Sequence, residues 1–191
     1  MRVWICICIF FICGCDRVEK IYIKQEPKKY QINSDGTVID LNTGLEWMRC
    51  SIGQIWDGET CAGEAEKINW YAAMSMAEKK GWRLPSIEEL SSLVYCSSGI
   101  RMAFVDDKFY ARELEAGLSE GGCIGESHFS VIDRDVFPKT PVDLGSDGYW
   151  SSTTDFNDET AAWIISFYNG GVFRITKEIN FENVRLVRSM D

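Results

Sequence analysis

Gly81-Trp82-Arg83-Leu84-Pro85-Ser86-Ile87-Glu88-Glu89-Leu90, residues 81–90, packs a helix stop, a turn and a helix start into ten positions. Gly81 follows Lys79-Lys80 and suits a terminator, because glycine enters the left-handed region freely and basic side chains favour a helix's last turn. Ser86-Ile87-Glu88-Glu89 has capping-box spacing, with a hydroxyl for the amide three residues on and a carboxylate to reach back. Ile87, Leu90, Leu93 and Val94 then form one apolar face. Upstream, Asn69 is placed to cap a helix beginning at Trp70. Trp70, Ala73, Met74 and Ala77 follow at i, i+3, i+4 and i+7. Two short helices joined through this segment are expected.

Strands flank them. Val38-Ile39-Asp40 and Leu45-Glu46-Trp47-Met48 read as a pair around the turn Asn42-Thr43-Gly44. Later come Gly148–Thr153 and Ala162–Tyr168, then Asn169-Gly170, a two-residue hairpin signal, with Val172–Ile175 returning antiparallel. Val184–Arg188 reads as the last strand. Residues 97–147, with Phe137-Pro138-Lys139-Thr140-Pro141, read as a long ordered loop, the kind of segment that often carries binding. Helices early and an antiparallel sheet late argue α+β.

Address and charge come from the other end. Arg2, the apolar run Val3–Cys13 and the ending Ile12-Cys13-Gly14-Cys15 have the order of a secretory signal. The run is too short for a spanning helix, which needs roughly 20 apolar residues. The ending resembles a bacterial lipobox, which makes residues 1–14 the signal peptide and Cys15 the acylated, palmitate-bearing anchor. An ordinary cleaved signal is the alternative. Residues 15–29 carry five basic and three acidic side chains and read as a flexible basic tether suited to an anionic membrane. Residues 30–191 hold 14 basic and 26 acidic side chains, which opposes nucleic-acid binding. Cys50, Cys61, Cys96 and Cys123 remain in this exported domain. Of three pairings, Cys50 with Cys61 and Cys96 with Cys123 is favoured, since each closes a self-contained loop. A zinc site competes, but the spacings are not paired C-x-x-C knuckles and the compartment is oxidising.

Thr43-Gly44-Leu45-Glu46-Trp47, Gly53-Gln54-Ile55-Trp56, Gly81–Pro85 with Glu88-Glu89-Leu90, Tyr149-Trp150-Ser151-Ser152 and Val184–Arg188 occur in that order. Together they resemble the Lcl C-terminal domain family of bacterial envelope proteins over about residues 37–189. The resemblance implies a C-type-lectin-like fold, shared with sulfatase-modifying enzymes: two helices on a small twisted antiparallel sheet with long ordered loops. It also implies an adhesin-like role, since a family member binds sulfated polysaccharide. The acidic balance opposes a polyanion unless Arg174, Lys177, Arg185 and Arg188 gather on one face. Surface pairing of these four is the stronger expectation.

Little catalytic chemistry is available. His128 is the single histidine, nothing near it resembles a nucleophile elbow, and no cysteine follows Cys123 to act as the sulfatase-modifying enzymes' copper-binding thiols. Trp47, Trp82, Trp150 and Trp163 are expected in the core, and Arg83 half-buried on loop carbonyls or a carboxylate. Trp56, in a disulfide loop beside Asp57-Gly58, is a candidate exposed platform, with packing under that loop the equal alternative. Asp155, Asn157, Asp158 and Glu159 are further candidate ligand-binding residues, with oxygens suited to calcium. No cofactor is required, calcium being the one open option. The expected protein is a non-catalytic, lipid-anchored envelope protein presenting a binding surface to a glycan. A protein-interaction or structural lipoprotein is the alternative, and an enzyme the remote one.

Overall fold

A computed structural model describes residues 22–24, 29–76, 81–102, 121–125, 130–143 and 147–190. Ser86 caps helix α2 (Ile87–Ser92) through both halves of the box: its hydroxyl accepts from the Glu89 amide and the Glu89 carboxylate accepts from the Ser86 amide. Glu89 also takes both guanidinium nitrogens of Arg83 at 2.6 Å, so one carboxylate ties the preceding turn to the helix. Ile87, Leu90, Leu93 and Val94 are all fully buried. Ser86→Ala is expected to cost about 1 kcal/mol of stability by urea unfolding. An unchanged midpoint would mean the cap contributes nothing. In helix α1 (Trp70–Met76) the Asn69 side chain accepts from the Ala72 amide at 2.9 Å, as expected of its cap; Ala77 and Lys79-Lys80 lie outside the described residues.

The molecule is α+β, built on several small antiparallel sheets where one had been expected. In the four-stranded sheet, β4 (Leu45–Met48) lies between β3 (Thr37–Asp40) and β11 (Val187–Ser189), and β2 (Tyr30–Ile32) sits at the edge beside β3. Val38, Trp47 and Val187 are direct partners across it and are all fully buried. On its other face Glu46 opposes Arg188, whose Nε donates to the carboxylate at 2.6 Å. A two-stranded ribbon, β5 (Ile55–Trp56) with β6 (Cys61–Ala62), lies in the first disulfide loop.

The three-stranded sheet runs β10 (Val172–Thr176), β9 (Ala161–Ser166), β8 (Gly148–Thr154). Tyr149, Ile165 and Val172 line up on one face against α2 and the main core, which also holds Trp47, Trp163 and Phe137. Trp150, Ile164 and Phe173 line up on the other, where Trp82, Leu84, Val184 and Leu186 form a second core. Trp150 and Ile164 are buried, whereas Phe173, outermost in the row, is exposed.

Both expected disulfides are present, Cys50–Cys61 and Cys96–Cys123, each with Cα atoms 5.4 Å apart. Three local readings are corrected. The β9–β10 connection is not a two-residue turn: Ser166 pairs with Gly171, and the Gly170 amide reaches back to the Ser166 carbonyl at 2.8 Å. The fully buried Phe167 packs on Tyr149 (ring centroids 5.0 Å apart), which draws those residues out of a tight turn and into the core. The last strand is shorter than expected, because Val184 and Leu186 give their carbonyls to Ile52 and Met48 before regular pairing begins at Val187. Within the stretch read as a tether, β1 (Tyr22–Lys24) pairs antiparallel with β7 (Ile100–Met102), a strand inside the segment read as loop. The same segment also reaches the main core, where Val131, Ile132, Val136 and Phe137 are buried.

Candidate functional site

The row Trp150–Ile164–Phe173 ends in an open groove of about 480 Å³. Gly148, Ile164, Ser166, Phe173 and Ile175 come to it from the three-stranded sheet; Tyr168 and Asn169 come from the β9–β10 connection, and Asn180 and Glu182 from the segment before β11. Gly148 is needed at the floor. A Cβ there would lie 2.6 Å from Ile164 Cδ1 and 2.9 Å from Glu182 Oε2, the oxygen that accepts the Gly148 amide at 2.9 Å.

The polar groups divide into committed and open ones. Asp147 holds Lys67 at 2.7 Å, accepts the Asp143 amide and touches the Asn183 side chain. Burial works against its charge, but Lys67 and the Asp143 amide win and keep the carboxyl below its ordinary value. Glu182 goes the other way: burial raises its pKa, and only the Gly148 amide and the Lys67 charge oppose that. Oε2 is the one Glu182 carboxylate oxygen in a hydrogen bond among the described residues. Asn180 donates Nδ2 to the Thr176 carbonyl, leaving Oδ1 to accept, while Asn169 uses Oδ1 for the Gly171 amide, leaving Nδ2 to donate. Phe173 is 41 % exposed beside them. A half-exposed ring with separate donors and acceptors around it suits a flat, hydroxyl-bearing ligand.

The residues expected to form the site lie elsewhere. Trp56 is half-buried: its Nε1 donates to the Ser34 carbonyl at 3.1 Å and the Arg49 guanidinium sits 4.3 Å from its ring. A Cβ on Gly36 would reach within 2.6 Å of that ring, so the indole is packed and offers no free platform. Asp155, Asn157, Asp158 and Glu159 do share one loop, where the carboxylates of Asp155 and Asp158 are engaged by neighbouring residues. Buried Asp155 binds Arg174 at 2.9 Å and the Asn157 amide at 3.0 Å, Asp158 binds the Thr160 hydroxyl and amide, and the Glu159 carbonyl takes Lys177 Nζ. Hydrogen bonds from Thr160 hold the exposed Asp158 carboxyl below its usual value. Among the described residues no group of three or more His, Cys, Asp or Glu is placed to share a metal ion.

Nor do the late basic residues make a patch. Arg174 and Arg188 are paired, Lys177 lies 4.3 Å from the Trp70 ring, and Arg185 is fully buried. Trp47, Trp82, Trp150 and Trp163 are core, and Arg83 holds a carboxylate, as expected. Cys15 and His128 lie outside the described residues. Sequence reasoning passed over Phe173, Asn180 and Glu182, since no local pattern marks them. The one available signal was an aromatic on the strand after Asn169-Gly170.

Residues 36–188 match the family model of the Lcl C-terminal domain. No curated protein and no solved structure matches the chain.

Proposed function

Given that the chain belongs to the Lcl C-terminal domain family, we propose that it is a non-catalytic, lipid-anchored envelope protein whose groove binds a glycan. A C-type-lectin-like arrangement of the α+β framework is part of the same reading, as are export and acylation at Cys15. The observation that carries it is Phe173, a half-exposed ring at the end of an otherwise buried row, flanked by the unspent acceptors of Asn180 and Glu182. Sugars present apolar C–H faces to such rings and hydroxyls to such acceptors, so one groove serves both. Export is supported by the two disulfides, which persist in oxidising compartments.

The test is a glycan-array screen of the purified chain with its disulfides intact. Saturable binding to one glycan class is expected. Phe173→Ala should weaken it by about 2 kcal/mol, roughly thirtyfold in Kd, with little change in unfolding midpoint. Absence of binding to any glycan would overturn the reading in favour of a protein partner, to be sought by pull-down from envelope extracts.

A further inference from the structure

The groove's charges select among glycans, an inference that rests on the reading of the groove as a sugar site. We propose that it takes an uncharged sugar, with a pair of neighbouring hydroxyls donating to the Glu182 carboxylate and the ring face on Phe173, and that it turns sulfated and uronic-acid glycans away.

Two carboxylates, Asp147 and Glu182, and one half-exposed cation, Arg174, line the groove, and Lys67 stands beside it. Each cation already has an anion: Lys67 sits on Asp147 at 2.7 Å, and Arg174 on Asp155 at 2.9 Å. Among the described residues Glu182 has no such ion pair, and its Oε1 is in no hydrogen bond. A ligand in the groove therefore meets a carboxylate outside any direct ion pair among the described residues, offset only in part by the Lys67 charge. A sulfate or uronate placed there faces like charge in a partly desolvated setting, which suppresses the wrong partner. Hydroxyl groups answer the same oxygens with short charge-assisted bonds. The remaining open groups agree: Asn180 Oδ1 accepts, while Asn169 Nδ2 and the Ser166 hydroxyl donate. Sugar hydroxyls do both. The acidic balance of residues 30–191, 14 basic against 26 acidic, repels polyanions at longer range.

The experiment is a titration of the full chain, purified in detergent, against a neutral glycan array and the sulfated and uronic-acid members of the same backbones, at about 0.1 M and 0.5 M salt. Binding confined to neutral glycans and held at the higher salt is expected, because hydrogen bonds and ring contacts are screened little. Glu182→Gln keeps the shape and the acceptor for the Gly148 amide, and is expected to weaken neutral-glycan binding about tenfold to a hundredfold. Salt-sensitive binding to sulfated or uronic-acid glycans, unchanged by Glu182→Gln, would overturn the selectivity while leaving a sugar site standing. Neutral-glycan binding indifferent to both Glu182→Gln and Phe173→Ala would overturn the groove as its seat. No glycan binding at all would overturn both readings together.

Discussion

Arg185→Met lowers the stability of this domain by about 3–5 kcal/mol, read as a fall in the urea midpoint of the disulfide-intact protein. Arg185 is fully buried and meets no carboxylate among the described residues. Its guanidinium is used as a hydrogen-bond fork: it donates to the carbonyls of Met48 at 2.8 Å and of Arg49, to Thr140 Oγ1 at 2.8 Å and to Ser51 Oγ at 3.4 Å. Phe137 lies beneath it at 4.8 Å. These contacts fasten the segment before β11 to the end of β4 and to the loop at Thr140, three parts of the chain distant in sequence. Methionine fills comparable space and relieves the burial of a charge, which acts in the variant's favour. It leaves several buried acceptors without donors, at about 1–3 kcal/mol each, and that side is the larger. Arg185→Lys should fall between, since one ammonium cannot span the fork. A midpoint for Arg185→Met equal to or above the parent's would show that the desolvation cost outweighs the fork.

Trp150→Ala is the second large effect, about 3–5 kcal/mol. The indole is fully buried in the second core, and its Nε1 donates to the Ile68 carbonyl at 2.8 Å. Alanine leaves a cavity and removes one of the two donors of the Ile68 carbonyl, which keeps the Glu182 amide at 3.0 Å. Trp150→Phe separates the two: it refills most of the volume and is expected to cost roughly 0.5–1.5 kcal/mol, the share of that one hydrogen bond. Comparable losses for both variants would place nearly all of the indole's contribution in that one hydrogen bond. The contrast with Phe173 is instructive. Trp150, Ile164 and Phe173 are successive members of one cross-strand row, yet truncating the first threatens the fold and truncating the last is expected to threaten only binding.

The helix caps, the Asn42-Thr43-Gly44 turn, the β3–β4 pair and both disulfides were legible in the sequence because each depends on residues close together along the chain. Capping needs a hydroxyl and a carboxylate three positions apart, and Ser86 with Glu89 supplied them. Burial of the tryptophans was legible too, since their strands are apolar at successive positions. For Trp56 the sequence left exposure and packing as equal alternatives, and the structure shows the packed one. Arg49 lies on Trp56 and Arg174 holds Asp155, and the sequence does not say which side chains meet.

Sequence alone determined the family, the α+β class, the disulfide framework and the scarcity of catalytic groups. Tertiary structure decided where a ligand could sit. Gly148, Ser166, Asn169, Phe173, Asn180 and Glu182 share a groove only because β8, β9 and β10 pair in one register and the segment before β11 crosses beside them. Shifting that register by one residue would turn Phe173 to the opposite face, and nothing within a few residues of Phe173 specifies it. Caps and turns are short-range chemistry; the groove is a product of long-range pairing.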